Sequence, residues 1–415
     1  MEQKTLLKNK KNQGNGGETM AKRDDSVKKK VPELRFKGFT DDWEQRKLGE
    51  VVEGEIKGKA KANMQGNRSI YLETEYLNGG ETTFVDSDAD VEEDDILILW
   101  DGSQAGTVYH GFFGALGSTL KAYRPKESGK FVYYQLVAHQ EMIFQRYRTP
   151  NIPHVIKTFT EEFSVFTTSL PEQERIGNFF KQLDNIIALH QRKLDLLKEQ
   201  KKGFLQKMFP KNGEKVPELR FAGFADDWEE RKLGELALVL TGFPFKNEDF
   251  VDNGKYLVIT NGNIQNESST VDVSLGNRVD DLSDEIKERY YLNKNDILVT
   301  MDGTVGRTAK VVDDNLILAQ RVARLVANKN TEFVYQWLNQ GSFFNEMTKV
   351  SHGGTIKHIS LNEISNYSAT VPSNNIEQQK IGSFFKQLDD TIALHQRKLD
   401  LLKEQKKGFL QKMFV

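Results

Sequence analysis

The chain of 415 residues contains no cysteine and no long apolar run. Without cysteine, disulfides and thiolate metal sites are excluded, and a reducing compartment fits. No apolar stretch approaches the roughly 20 residues of a membrane-spanning helix, and the lysine-rich N-terminus lacks the apolar core of a secretory signal. We therefore expect a cytoplasmic protein.

An excess of positive charge is also missing. The formal net charge is −2 and the sequence pI is about 6.4. Because phosphate affinity comes from clustered Lys and Arg, this composition does not by itself indicate a nucleic-acid-binding protein. Any such function must come from local clusters or from partner subunits.

Motifs for catalysis are missing as well. No Gly-x-x-x-x-Gly-Lys-Ser/Thr loop is present to hold nucleotide phosphates. The nine prolines never form the Pro-Pro pair of an adenine methyltransferase, and the seven histidines show no metal-ligand spacing. We expect no enzyme activity, metal or cofactor in this chain.

What the sequence does contain is a duplication. The box VPELRFKGFTDDWEQRKLGE at 31–50 returns as VPELRFAGFADDWEERKLGE at 216–235, and segment 176–209 returns at 381–414 with three substitutions. The segments between them, roughly 51–170 and 236–375, share very little. The predicted organisation is a disordered leader at 1–30, a recognition domain at 31–170, a central helix at 171–209, a linker and repeat box at 210–230, a second domain at 231–375 and a C-terminal helix at 376–415.

The duplicated segment of 34 residues is the clearest helix, because its apolar residues recur in alternating steps of four and three. This heptad seam comprises Ile176, Phe180, Leu183, Ile187, Leu194, Leu197, Phe204 and Met208 in the first copy, and Ile381, Phe385, Leu388, Ile392, Leu399, Leu402, Phe409 and Met413 in the second. His190 and His395 interrupt the seam, where we expect a polar contact that specifies register.

Chain connectivity predicts that the two helices pack antiparallel. The second domain follows the end of the first helix and precedes the start of the second, so these two helix ends must lie close together. A helix of 34 residues is about 50 Å long, which matches roughly 15 base pairs of duplex DNA. Two unlike domains held at that spacing would suit two unlike half-sites.

The domains mix short apolar runs with Gly/Asn-rich turns and short helical stretches, which predicts an α+β fold. The expected architecture is two small mixed α/β recognition domains separated by two long helices, packed as an antiparallel coiled coil with pseudo-two-fold symmetry.

This duplicated order resembles the specificity subunit of type I restriction–modification enzymes. The resemblance is carried by the openings Trp43…Leu48-Gly49-Glu50 and Trp228…Leu233-Gly234-Glu235, and by the exits Glu172-Gln173…Ile176 and Glu377-Gln378…Ile381. Inside the domains, Asp95-Ile96-Leu97 precedes the turn Asp101-Gly102-Ser103, and Asp296-Ile297-Leu298 precedes Asp302-Gly303-Thr304.

The resemblance implies a non-catalytic subunit that binds an asymmetric two-part site in double-stranded DNA. It implies two DNA-methylation subunits, which transfer a methyl group from S-adenosylmethionine to adenine, and two ATP-dependent motor and nuclease subunits. S-adenosylmethionine, ATP and Mg belong to those partners. The helices are expected to set the gap and to carry much of the docking surface for the methylation subunits.

Side chains that read bases present paired hydrogen bonds from Arg, Lys, Asn or Gln, usually on loops of a rigid scaffold. In the first domain the candidates are Lys57, Lys59, Lys61, Asn63, Gln65 and Arg68, with a second cluster of Arg146, Arg148 and Asn151. In the second domain they are Asn261, Asn263 and Gln265, with His352, Thr355 and Lys357 in a flexible basic loop.

Two alternatives stay open at this point. The chain could be a non-enzymatic bivalent scaffold that binds proteins rather than DNA, which the balanced charge favours slightly. It could also be a fusion-type restriction enzyme, against which the missing nucleotide, methyl-donor and nuclease motifs argue.

Overall fold

The computed structural model describes residues 31–211, 214–265 and 268–414. The predicted disordered leader, residues 1–30, lies outside the described residues. The chain divides into two compact units: the first contains residues 31–182 and 405–414, and the second comes from 183–404. Each unit therefore includes the start of one long helix and the end of the other.

The first unit contains one α+β domain followed by the start of α6. Its elements are β1 (Glu44–Lys47), α1 (Leu48–Val51), β2 (Val52–Lys57), β3 (Gln65–Leu72), α2 (Thr74–Leu77), β4 (Phe84–Val85), β5 (Ile96–Leu99), β6 (Val108–His110), β7 (Ala115–Leu116), β8 (Leu120–Pro125), α3 (Gly129–Ala138), α4 (Gln140–Arg146), α5 (Phe159–Glu162), β9 (Ser164–Thr167) and α6 (Leu170–Met208).

The second unit repeats this plan. Its elements are β10 (Glu229–Lys232), α7 (Leu233–Leu236), β11 (Ala237–Thr241), β12 (Tyr256–Ile259), β13 (Arg278–Val279), α8 (Asp284–Tyr290), β14 (Ile297–Thr300), β15 (Thr308–Lys310), β16 (Leu316–Leu318), β17 (Val322–Ala327), α9 (Thr331–Leu338), α10 (Ser342–Val350), α11 (Leu361–Asn366), β18 (Ser368–Val371) and α12 (Asn375–Met413), with 3-10 turns at Asn247–Asp249 and Asn261–Asn263.

The two domains have the same strand order although their sequences share very little. The first has a four-stranded antiparallel sheet β2-β8-β5-β6 and a three-stranded mixed sheet β4-β3-β7, and the second has β11-β17-β14-β15 and β13-β12-β16. Strands β5 and β14 are buried along their whole length, as expected for apolar runs in the centre of a sheet. The predicted α+β class is therefore confirmed.

Each repeat box closes its domain onto the helix that follows. Strand β1 pairs with β9 directly before α6, and β10 pairs with β18 directly before α12. Glu172 in the first turn of α6 is fully buried and receives two hydrogen bonds from Arg35, at 2.6 and 2.7 Å. Arg220 makes the same bidentate contact with Glu377, at 2.6 and 2.9 Å.

In the second unit, α6 and α12 run in opposite directions. His190 faces His395, Lys201 lies 2.6 Å from Asp389, and the ring of Phe204 packs edge-on against Phe384. Partners with higher numbers in α6 thus have lower numbers in α12, which is the antiparallel order.

The seam residues of the second unit include buried Leu183, Leu194, Leu197, Met208, Ile381, Phe385 and Leu399, with Ile187, Phe204, Leu388, Ile392 and Leu402 half-buried.

In the first unit, the start of α6 and the end of α12 share one aromatic core with the domain. Phe180 stacks on Phe414, Phe179 packs edge-on against Phe409, and both Trp43 and Phe131 contact Phe414. Ile176 and Met413 of the seam belong to the same core. Leu410, outside the predicted seam, is also buried there because this helix end packs on the domain as well as on α6.

In the described part of the chain, no helix combines the length and apolar character needed to cross a bilayer.

Candidate DNA-recognition surface

Four chain segments lie side by side at one end of the first domain. The amide of Ser118 donates to Ala60 O (3.0 Å), that of Trp100 to Thr119 O (2.8 Å), and that of Val155 to Trp100 O (2.9 Å). We call residues 58–61, 117–119, 100–103 and 149–155 the first recognition edge. Neighbouring segments are about 4.8 Å apart, so the edge spans roughly 14 Å, or about four base pairs of duplex.

The second domain builds the same arrangement from different residues. The backbone amide of Gln320 donates to Phe243 O (2.9 Å), that of Met301 to Arg321 O (3.2 Å), and that of Ile359 to Met301 O (2.9 Å). Residues 242–245, 318–321, 301–304 and 352–359 form the second recognition edge. In the first domain the tertiary structure thus brings the two sequence-distant candidate clusters to one edge, whereas the second edge contains only the basic loop, and Asn261 contacts it through Met301 N.

Backbone contacts attach the lysine loop of the first domain, residues 57–61, to the neighbouring segment. Lys59 and Ala60 both donate to Leu116 O at 3.0 Å. A Cβ on Gly58 would lie 1.9 Å from the carbonyl oxygen of Gly117, so glycine is needed for this close approach. The candidate side chains of this loop and of the residues that follow it are all exposed: Lys57, Lys59, Lys61, Asn63, Gln65 and Arg68.

In the second candidate cluster of the first domain, Arg146 and Asn151 are exposed. Arg148 instead donates from Nε to Phe144 O (2.9 Å) and from Nη1 to Ser103 O (3.2 Å). Two of its five N–H donors thus tie the loop to the Asp101-Gly102-Ser103 turn, and Arg148 stays a candidate base reader with its remaining donors.

Asn263 is corrected, because its side chain is completely buried. Its Nδ2 donates to Asp272 O and Leu275 O, both at 2.8 Å, and its Oδ1 accepts from Thr260 N at 2.9 Å. Such a fully satisfied buried amide holds loops together and has no free hydrogen-bonding capacity for a base. Asn261 is half-buried and accepts from Met301 N at 3.3 Å, whereas Gln265 is exposed.

The basic loop of the second domain exposes His352, Thr355 and Lys357. It was expected to be flexible, yet backbone hydrogen bonds join His352 and His358 in both directions, at 3.1 and 2.8 Å. Because a carboxylate oxygen only accepts, His358 donates from Nδ1 to Asp302. The loop is thereby attached to the Asp302-Gly303 turn.

Arg321 on the second edge was missed in the sequence. Its backbone has φ of 70°, an unusual conformation for a residue other than glycine. Its Nη1 donates to Asp302 at 2.8 Å, and 59% of the side chain is exposed. Burial raises the pKa of the Asp302 carboxyl, but hydrogen bonds from His358 and Arg321 outweigh it and lower the pKa below its ordinary value.

Beside the first edge lies another residue that no sequence pattern indicated. Lys121 Nζ lies 3.5 Å from the centre of the Trp100 ring and 2.9 Å from Glu55. Lys121 lies in β8, where the alternation of apolar and polar residues does not indicate a function. Its position beside the edge results from the pairing of β8 with β5, which the sequence does not show.

Comparison with known proteins adds to this geometry. The family described as type I restriction modification DNA specificity domain matches residues 40–199 and 225–404. The chain belongs to this family. It is a specificity subunit of a type I restriction–modification system and carries two specificity domains. The resemblance stated from the duplicated boxes is confirmed, and the scaffold alternative is not favoured.

Two relatives are specificity subunits from Methanocaldococcus jannaschii. The type I restriction enzyme MjaVIII specificity subunit is 28% identical over 401 residues, covering 89% of this chain and 91% of the relative. The putative type I restriction enzyme MjaX specificity subunit is 24% identical over 407 residues, covering 89% and 92%. Among solved structures, the S subunit of a type I system from M. genitalium has a TM-score of 0.67 at 16% identity, covering 93% and 99%. That likeness supports the fold.

Proposed function

We propose that each recognition edge reads one half of an asymmetric two-part site in double-stranded DNA. One observation carries this proposal: the two edges have the same backbone arrangement but expose different side chains. The first edge adjoins a lysine loop at 57–61, and the second has Phe243, Arg321 and Lys357 on the corresponding segments. Two similar frames with different surfaces suit two different base sequences.

Exposed leucines on the long helices support docking of two identical partner subunits. Leu189 and Leu196 are seven residues apart and therefore share one face of α6, with 67% and 47% exposure. The repeat places Leu394 and Leu401 at the equivalent positions of α12, also exposed. Because the two surfaces are copies of each other, we propose that each binds one DNA-methylation subunit, giving a 1:2 complex.

Catalysis in this proposal belongs to the partners. The methylation subunits bind S-adenosylmethionine and modify adenine, and two motor subunits bind ATP and Mg and cleave DNA. This chain supplies recognition and the spacing between half-sites.

The test of DNA reading is an electrophoretic mobility shift of the assembled complex over a salt series. We expect the cognate duplex to bind at least 1,000-fold more tightly than an unrelated duplex, and both affinities to fall as salt rises. Equal affinity for both duplexes would contradict sequence reading, and failure to bind either duplex would instead support a protein-binding scaffold.

The test of docking is native mass spectrometry of leucine variants. Leu189→Glu and Leu394→Glu should each weaken one of the two binding events, and the double variant should abolish the 1:2 complex. Leu238→Glu, at an exposed leucine on β11, is the control. Full 1:2 assembly by the double variant would refute docking on these surfaces.

A further inference from the structure

The two recognition edges have an exposed isoleucine at the same place. In the described part of the chain, Ile152 is the most exposed large apolar side chain, at 77%, and Ile356 is exposed to 67%. Exposed apolar side chains are common singly. Two exposed isoleucines at equivalent positions are less easily explained as incidental surface residues, because the two domains otherwise share little sequence.

Matching backbone hydrogen bonds establish the equivalence. The residue after each isoleucine accepts from the glycine of the adjacent turn: Gly102 N to Pro153 O at 3.0 Å, and Gly303 N to Lys357 O at 2.9 Å. Three residues after each isoleucine, a buried residue donates to the strand end, as Val155 and Ile359 do.

Hydrogen bonds cross-link the loop around each isoleucine. In the first loop, Thr149 Oγ1 bonds the carbonyl of Ile152 and accepts from His154 N. In the second, His352 and His358 bracket the tip with two backbone hydrogen bonds. A tip ordered before binding loses little conformational entropy when it meets a partner.

The charge around the tips fits a polyanion. Neither 142–160 nor 347–362 contains Asp or Glu. The nearest carboxylates of the second loop are held by cationic or imidazole groups, since Asp302 binds Arg321 and His358, and Glu363 lies 3.6 Å from His352. Arg146 and Lys157 are exposed in the first segment, and Lys357 is exposed in the second, together with Lys349, which lies 3.6 Å from Glu346. The flanking Asn151 and Thr355 are polar and exposed, so each isoleucine is an isolated apolar point rather than part of an apolar patch suited to protein docking.

We infer that Ile152 and Ile356 are apolar base contacts, one for each half of the DNA site. This inference rests on the proposed function of the recognition edges. An aliphatic side chain on a cross-linked cationic tip can pack on the methyl group of thymine or wedge between base steps. Either contact contributes selectivity, because the surrounding cations bind phosphates of any sequence.

The test uses the complex assembled from full-length chain and partner subunits, with Ile152→Ser and Ile356→Ser variants. Each should bind the cognate duplex roughly tenfold more weakly while its affinity for unrelated DNA stays unchanged. Sequencing of methylated sites should show relaxed selection in one half of the site for Ile152→Ser and in the other half for Ile356→Ser.

Phe113→Ser and Val312→Ser are matched controls, since both residues are exposed and lie beyond β6 and β15, away from the edges. Uracil in place of thymine, or 2-aminopurine fluorescence within the site, then identifies the kind of contact. Variants with wild-type selectivity, or variants that lose a partner subunit instead, would overturn the inference. Absence of sequence preference in the wild-type complex would instead overturn the proposed function.

Discussion

Buried carboxylates join each domain to its helix. Glu172 and Glu377 lie in the first turns of α6 and α12, where the helix dipole favours negative charge. Each accepts two hydrogen bonds from an arginine of the preceding repeat box. The hydrogen bond to Glu172 raises the pKa of Arg35, and that to Glu377 raises the pKa of Arg220. Each repeat box therefore attaches its domain to the long helix that follows, which explains why the boxes are duplicated together with the helices.

Removing the charge of Glu172 should destabilise the first unit. Glu172→Gln leaves Arg35, a largely buried cation, without its carboxylate, at a cost of about 3 kcal/mol in the free energy of unfolding. Thermal and chemical unfolding measure the effect. Glu44→Gln, which breaks the exposed pair with Arg46, should cost less than about 1 kcal/mol. Equal effects of the two substitutions would contradict the role of burial.

Asp302 should make the second recognition edge sensitive to acid. Its pKa is lowered in the folded chain, so its stabilisation is present above the ordinary value of 3.8 and is lost as pH falls through the lowered value. Asp302→Asn should thus lower the melting temperature at pH 7 and progressively less below pH 4. Asp314→Asn, in the exposed pair with Lys294, serves as control. A constant difference between wild type and Asp302→Asn across this range would be inconsistent with the lowered pKa.

At the level of elements, the seam of the helix pair has polar interruptions. His190 and His395 meet with Nδ1 atoms 3.4 Å apart. Removal from water, followed by the charges of Lys398 and His395, lowers the pKa of His190. A residue meets its own repeat equivalent only at one register of an antiparallel pair. This contact is consistent with the predicted role of the histidines in specifying register.

Lengthening both helices together should widen the gap between half-sites. One heptad adds about 10 Å, or roughly three base pairs, and keeps the seam in phase when it is inserted in both α6 and α12. Methylated-site sequencing before and after the insertion measures the gap. An insertion in α6 alone leaves seven residues without their α12 partners and should lower the melting temperature. An unchanged gap after the paired insertion would refute the spacer role.

At the level of the whole molecule, two unlike sequences adopt one topology, from which we expect the domains to be exchangeable. Replacing residues 52–163 by the corresponding segment of another specificity subunit retains β1 and β9, so the closure onto α6 is preserved. We expect the exchange to alter one half of the methylated site and to leave the other unchanged. Genome-wide methylation sequencing reads both halves at once, and a change in both would contradict modular recognition.

The sequence alone determined the long helices, their antiparallel packing and the presence of two different domains. A heptad repeat is a local pattern, and a duplication can be read directly from the letters, so neither requires knowledge of distant contacts. The tertiary structure decided where the recognition edges lie and which polar residues face outward. Asn263 has the side chain of a base reader, but the backbone carbonyls of Asp272 and Leu275 occupy both of its N–H donors. Each edge consists of four segments joined by hydrogen bonds between residues far apart in the sequence. Because sequence periodicity reports only local structure, it could not predict these contacts.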